Sequence, residues 1–587
     1  MPVLVLDGHS RAALEALQSL SRAGLEVDIA AESSDCLAMK SGCASSRLIQ
    51  PASHPQVRFS TWLSDIDRER NYDLIVPATE SSLLAFRAMD PEHPLRQRAV
   101  LPGDAALDIA LDKRMTLQVA RELGIPVPSS VFFDSQSEIG PAPAFPVILK
   151  PARSKILVGN ELRTLAVARV HDEAQRREQL RLWLPHTPVL QQQYIFGHGV
   201  GLEFLYENGR KVWHFAHERI HEFPLSGGAS SYRRSVEAPE QLLADGQRLL
   251  DHLGWRGVAM VEFKVDNGGQ RWLMEINPRL WGSLALAIDA GVDFPLGLFR
   301  LARGETVSPQ PRYATHFYTR DLRTDLQWFK ENLRASRHDQ YLLTQPRLFS
   351  LLELLRPFTG QESWDHFDWR DLGTTRRMIA LTISDFLRPV LSRFAARRKR
   401  TRLIQHHRSL LQTLTESQVR KIAFICLGNV CRSPFAAGLA ARKLPEMKIV
   451  SAGLHRAVGR NCPEKILTIA RSFGVDLDHH RSTRVSEEQL HDADLVVAMD
   501  LENLDSIKRE IPEISSKTTL LGLFASPHQL VIPDPYAASM EETHSACELI
   551  SSSVEGLAIW LTKAGCVPTP TRKQMRLAPI LGGKQDA

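Results

Sequence analysis

Residues 421–444, KIAFICLGNVCRSPFAAGLAARKL, commit their part of the chain to an alternating strand-and-helix architecture. The apolar run IAFI reads as a strand, a turn follows, and helical spacing begins near Ser433 and Pro434, proline being suited to a first helical turn. Five residues separate Cys426 from Arg432. That is enough loop to wrap a tetrahedral phosphate with backbone N–H groups, while the N-terminus of the following helix adds positive potential. Such a setting favours a thiolate at Cys426, able to attack phosphorus. Arg432 can grip the equatorial oxygens bidentately, which a lysine cannot reproduce.

The string Cys-Leu-Gly-Asn-Val-Cys-Arg-Ser-Pro resembles the signature of the low-molecular-weight protein tyrosine phosphatase family. Ser451-Ala452-Gly453, HHRSTRVSEEQL, DADLVVAMDLEN and Asp534-Pro535-Tyr536 then follow in that family's order. The resemblance implies a doubly wound parallel sheet over 416–565, with Cys426 as nucleophile and Arg432 as phosphate clamp. Asp534 would protonate the leaving oxygen and later deprotonate water. Ser433 would stabilise the thiolate and Asn429 would fix the loop. The implied substrate is a phosphomonoester, either a small molecule or a phosphotyrosine protein. Cys431 reads either as a partner for a protective disulfide or as a small buried residue. Arsenate reduction would need further cysteines to relay a disulfide, and none lies between Cys462 and Cys547.

A chain of 587 residues is too long for one hydrophobic core, so several domains are expected. Seven cysteines with no repeating pair spacing argue against a disulfide framework and fit a reducing, cytoplasmic setting. The first apolar run is broken by Asp7 and lacks the flanks of a signal peptide. No stretch of about twenty apolar residues occurs, so no transmembrane segment is expected. The net charge of +5 is small for this length and gives no case for nucleic-acid binding.

Upstream, VLVLDG, a helical stretch ended by Gly24, LEVDIAA and DLIVPAT read as a small open parallel sheet over 1–105. The turn Asp7-Gly8-His9-Ser10 lacks the three glycines of a dinucleotide fingerprint. Residues 106–305 change to an α+β texture. There Glu262 on one strand and Glu275-Ile276-Asn277-Pro278-Arg279 on the next are joined by the turn Asn267-Gly268-Gly269. Period two puts Glu275 and Asn277 on one face, and hairpin pairing brings Glu262 alongside. Three converging oxygen ligands suit Mg2+ on nucleotide phosphates rather than zinc. Arg279 joins the same face if the strand continues.

This pattern resembles the ATP-grasp superfamily, in its carbamoyl-phosphate-synthase-like form. The resemblance implies ATP and Mg2+ as cofactors, with Glu262, Glu275 and Asn277 as metal ligands and Arg279 stabilising the transferred phosphate. It also places Lys113 and Lys150 on ATP phosphates, and Gln193, Tyr194 and Ile195 along the adenine. The segment HERIHEFPLSGGASSYRRS resembles the acceptor-shaping region, so His217, Glu218, Arg219 and Gly227-Gly228 are expected near substrate.

Residues 306–415 read as a helical connector ending in the basic stretch Arg393 to Arg408, with Arg397-Arg398-Lys399-Arg400 at its centre, and 566–587 as a tail. The connector's mixed apolar and basic residues fit a helix face packed between domains, or alternatively a membrane-surface helix interrupted by Pro389. The expected architecture is a multidomain α/β chain. Its implied activities are a carboxylate ligase that forms an acyl phosphate, to be captured by an amine or another nucleophile, and a cysteine-dependent phosphatase. The alternatives are a phosphatase regulated by an ATP-sensing module, and an ATP-grasp kinase paired with a phosphatase. No oligomeric state is implied.

Overall fold

The computed structural model describes residues 1–52, 56–140, 144–158, 161–336, 342–415 and 418–566. The expected tail lies outside them from residue 567 onward. The chain divides into two compact units, Met1–Leu387 and a second beginning at Arg388, and the long helix Leu372–Thr415 contains the boundary. That helix runs through Pro389 without ending.

In the first unit, an all-parallel sheet has the strand order Ser46–Ile49, Glu26–Ala31, Pro2–Val5, Leu74–Val76. Three of its strands, all but Ser46–Ile49, are near-continuous apolar runs because both faces are covered. Asp7 follows the first strand in a left-handed conformation, φ +59°. Its buried carboxylate accepts from Thr79 N–H at 2.9 Å and from Gln50 at 3.0 Å, which fixes the start of the helix Glu80–Arg87.

A four-stranded antiparallel sheet carries Val147–Pro151 beside Val189–Gln193. In the run VILKP, Val147 and Leu149 are buried in the core, while Ile148 and Lys150 point the other way. A seven-stranded sheet follows in the order Arg271–Asn277, Gly257–Asp266, Gly197–Glu207, Arg210–Phe223, Ala229–Ser235, Tyr318–Arg320, Glu362–Trp364. The last two strands come from the stretch read as a helical connector. Each has three residues, too few for alternation to show in sequence.

The second unit is a parallel sheet in the order Lys448–Gly453, Lys421–Cys426, Leu495–Ala498, Thr518–Leu520. Ile422, Phe424, Leu495 and Val497 share one core with the helices Arg432–Lys443 and Met540–Lys563. Ala423, Ile425, Val496 and Ala498 pack on the opposite face with Leu504 and Ile507. Helices therefore cover both faces, as in a doubly wound fold, and each fully buried large apolar side chain contributes about 1.5–3 kcal/mol. The second half of the long helix belongs to this unit. Leu410 and Leu414 are buried in its core, and His407 Nδ1 lies 2.9 Å from Thr519 Oγ1.

Candidate active sites

The strand order reverses at Lys421–Cys426, which leaves a crevice beyond the carboxyl ends of the strands. Cys426 ends the central strand there. Asn429 N–H donates to Cys426 Sγ at 3.1 Å, and Ser433 Oγ lies 3.1 Å from the same sulfur. The buried sulfur thus has a backbone N–H donating to it and a hydroxyl within hydrogen-bond distance. Asn429 is the loop's fixed point. It sits buried at φ +51°, donates through Nδ2 to Ser433 Oγ at 3.0 Å and Ser451 Oγ at 3.1 Å, and accepts from Thr483 N–H at 2.8 Å.

Arg432, 3% exposed, starts the following helix. Its Nη1 donates to Asp500 Oδ2 at 2.5 Å and to Ile532 O at 3.0 Å, and its Nη2 to Asp534 Oδ2 at 2.7 Å. Asp534 is the more open partner, and its Oδ1 accepts from Tyr536 N–H at 3.1 Å. Of the five expected residues, Cys426, Asn429 and Ser433 share one hydrogen-bonded cluster, and Arg432 and Asp534 are paired in another. Cys431 is a free, buried thiol that desolvation, then Asp534 and Cys426, hold well above the usual range. Desolvation likewise pushes Cys462 up to about 11, with Cys426 a lesser cause.

In the first unit, a cavity of about 720 Å³ opens between the sheets. Glu262, Glu275, Asn277 and Arg279 line it, as do Lys113, Lys150, Gln193, Tyr194 and Ile195. Glu262 stands directly opposite Glu275 across the strand pair. The register shifts between Glu262 and Phe263, and this bulge turns Leu273 into the core while Glu275 and Asn277 keep facing the cavity. The strand ends at Asn277 because Pro278 cannot continue the ladder. Arg279 therefore does not extend the strand face. It folds back, donating to Leu280 O at 2.9 Å and Asn277 Oδ1 at 3.4 Å.

Lys113 Nζ lies 3.8 Å from Glu275 Oε2 and donates to Ser154 Oγ at 2.9 Å. Desolvation raises the Glu275 carboxyl, but Lys113, Lys150 and Asn277 outweigh it and hold the group below its ordinary value. Desolvation in the cavity holds Lys150 below the usual lysine range, with Glu275 opposing and Lys113 adding. Two carboxylates and an amide oxygen form an all-oxygen donor set, which fits a hard divalent cation that keeps waters and phosphate oxygens as its other ligands.

Glu80 and Asp500 escaped the sequence reading, and Arg219, expected near substrate, pairs instead with an expected metal ligand. Arg219 Nη2 donates to Glu262 Oε2 at 2.5 Å, which its side chain reaches by lying across Gly199, where a Cβ would come within 2.7 Å of Arg219 Cδ. Glu80 enters the cavity from the helix fixed by Asp7, and burial raises its carboxyl. Asp500, held here as the main anchor of Arg432, is an aspartate just past a strand at a helix N-cap, a position that marks the rim of a parallel sheet. Of the expected acceptor residues, His217 is buried with Nδ1 2.7 Å from Glu203 Oε1, and Glu218 is paired with Arg234 at 2.7 Å.

Residues 421–566 match the family described as low molecular weight phosphotyrosine protein phosphatase. Residues 187–323 match the one described as ATP-grasp in the biosynthetic pathway with Ter operon. The chain is 31% identical over 137 residues to the probable low molecular weight protein-tyrosine-phosphatase AmsI of Erwinia amylovora, covering 23% of this chain and 94% of that protein. The solved tyrosine phosphatase Wzb from Escherichia coli K30 in complex with sulphate is 34% identical, with a TM-score of 0.24, covering 24% of this chain and 99% of that one. The solved L-amino acid ligase from Bacillus licheniformis is 16% identical, with a TM-score of 0.40, covering 51% of this chain and 74% of that one.

Proposed function

We propose, from the premise that this chain belongs to the low-molecular-weight protein tyrosine phosphatase family through its C-terminal domain and carries an ATP-grasp region upstream, that it is a bifunctional enzyme. Its second unit hydrolyses a phosphomonoester and its first is an ATP-dependent carboxylate ligase. The observation that carries the phosphatase reading is the Cys426 sulfur, met by the Asn429 N–H and the Ser433 hydroxyl, together with an Arg432 anchored at three points.

In the proposed reaction, the Cys426 thiolate attacks phosphorus while Arg432 holds the equatorial oxygens. The phosphorus–oxygen ester bond breaks and Asp534 gives its proton to the leaving oxygen. Water then attacks the phosphocysteine, Asp534 takes its proton, and the sulfur–phosphorus bond breaks to release inorganic phosphate. Ser433 and the Asn429 N–H stabilise the departing thiolate.

In the first unit, a substrate carboxylate takes the terminal phosphoryl group of ATP, releasing ADP, and an amine or another nucleophile then displaces phosphate from the acyl phosphate. Glu262, Glu275 and Asn277 would hold Mg2+, which when bound neutralises phosphate charge. Lys113 and Lys150 bind the phosphates, Arg279 steadies the transferred group, and Gln193, Tyr194 and Ile195 border the adenine. Positioning and charge neutralisation supply the catalysis. Seven free cysteines support a cytoplasmic setting for both activities.

Two assays test this reading. Hydrolysis of an aryl phosphate should vanish in Cys426→Ser. Release of ADP with pooled carboxylates and amines should be abolished by Glu275→Ala. ATP binding that altered only the phosphatase rate would favour a sensor module, and a stable phosphorylated product would favour a kinase.

A further inference from the structure

Residues 347–358, RLFSLLELLRPF, hold the helix Arg347–Glu353 and the start of the 3₁₀ turn Arg356–Thr359. The helix is built inside out. Ser350 is 1% exposed and accepts from Asn332 Nδ2 at 3.0 Å, and Glu353 Oε2 lies 3.1 Å from His221 Nε2. Ser350 and Glu353 face the protein, while Leu348, Phe349, Leu351, Leu352, Leu355 and Phe358 face outward, Phe358 to 87%.

The start of the long helix repeats this inversion. Thr374, Thr375 and Thr382 are buried, whereas Leu381, Ile383, Phe386 and Leu387 are exposed, and Trp369 just upstream is 75% exposed. The helix Leu322–Arg334 holds both segments. Arg323 near its start pairs with Asp385 at 2.6 Å, and Asn332 near its end holds Ser350, so the two anchors lie about 14 Å apart along one helix.

Charge sorts the same way. Within 347–387, Glu353, Glu362, Asp365, Asp368 and Asp371 are turned inward, and the sixth carboxylate, Asp385, is taken by Arg323. Arg347, Arg370, Arg376 and Arg377 are exposed, Arg377 also reaching the exposed Asp35 at 3.2 Å. The outer surface of this segment is therefore large apolar side chains interspersed with arginine, and such clustered apolar exposure marks an interaction surface.

We propose that residues 347–387 are the surface by which this chain docks on an anionic lipid bilayer, lying within the headgroup layer. Leucine and phenylalanine side chains enter the acyl boundary, Trp369 sits at the interface, and the arginines meet lipid phosphates. Turning the segment's own carboxylates inward or into an ion pair is what an anionic surface requires. Among the described residues no helix is long and apolar enough to cross a membrane, so the attachment is peripheral.

Co-sedimentation of the full chain with vesicles tests the proposal. Vesicles of equal parts phosphatidylglycerol and phosphatidylcholine should bind about tenfold or more protein than phosphatidylcholine alone, with binding weakened by salt. The pair Leu351→Glu and Leu355→Glu should abolish it, and Arg376→Glu with Arg377→Glu should reduce it, while urea unfolding of the full chain, followed by tryptophan fluorescence, reports whether the first unit is intact. Should the leucine variant misfold, Phe358→Ser, on an open turn, should weaken binding instead. The proposal is overturned if neither vesicle type binds or if the leucine and phenylalanine variants sediment like the parent. It is equally overturned by a salt-stable dimer that the same variants disperse, which would assign the face to a second copy.

Discussion

Arg432 holds the Asp534 carboxylate at 2.7 Å with one arm of its guanidinium while the other is fixed by Asp500 at 2.5 Å. The guanidinium is thus aimed by one carboxylate and shared with another that, in the proposed reaction, donates a proton. Asp534→Asn should leave affinity for vanadate within a fewfold of the parent but lower kcat by about 10²–10⁴-fold. The loss should be greater for alkyl than for nitrophenyl phosphates, since only the poorer leaving group needs the proton. Asp500→Asn removes the anchor instead, so kcat/KM should fall by about tenfold to a hundredfold with similar losses for both leaving groups.

Asn429 couples loop shape to sulfur environment. Its φ of +51° is a strained conformation for a residue with a side chain, and its amide repays this through Ser433, Ser451 and Thr483. Asn429→Ala keeps the strain and loses those bonds, so it should destabilise the second unit by about 1–3 kcal/mol and slow aryl phosphate hydrolysis. Asn429→Gly relieves the backbone and should recover part of the stability but little of the rate. Denaturant unfolding and steady-state kinetics on the two variants separate these contributions.

At the first unit's cavity, Arg219 occupies Glu262 at 2.5 Å, so a divalent cation held as proposed would compete with a guanidinium for that carboxylate. Arg219→Gln should shift the Mg2+ dependence of ADP release to lower concentration, and Glu262→Gln should shift it upward. Glu275→Gln should lower ATP turnover by about a hundredfold or more while aryl phosphate hydrolysis persists. A magnesium titration of ADP release in each variant provides the measurement.

What could be read in advance was short in range. The Cys426–Arg432 loop lies within one strand–turn–helix, and the Glu262–Glu275 pairing within one hairpin, so spacing alone locates both. The features that escaped depend on register and on distant chain. Arg219 reaches Glu262 only because Gly199 leaves room across the sheet, and the bulge beside Glu262 reverses the face of Leu273 that period two would assign. Asp500 meets Arg432 only once two strands lie side by side. In 347–358 the periodicity itself misleads, because the apolar side chains that would ordinarily mark a core face outward and a buried serine and glutamate face in.

That inward polarity makes His221 a source of pH dependence. Its Nδ1 lies 2.8 Å from Asp325 Oδ1 and its Nε2 3.1 Å from Glu353 Oε2, and its ring stacks on Trp328 at 3.3 Å between centroids. Tyr232 lies on another side, and Arg320 pairs with the same Asp325. Burial lowers the imidazole's proton affinity, but the two carboxylates outweigh it and hold His221 above its ordinary value of 6.5. The folded state thus binds this proton more tightly than the unfolded chain. Its stabilisation is complete below about pH 6.5 and is lost as pH rises through the folded value. His221→Gln should cost about 3 kcal/mol at about pH 6, by leaving two buried carboxylates short of a partner, and less at about pH 9. The difference in unfolding free energy between parent and variant should therefore shrink with rising pH. His366, raised in the same direction beside Glu15, keeps part of the slope in the variant. Urea unfolding of the full chain across that pH range, followed by tryptophan fluorescence, gives the two curves. A gap between them that stayed constant or widened toward alkaline pH would show that His221 is neutral in the folded protein.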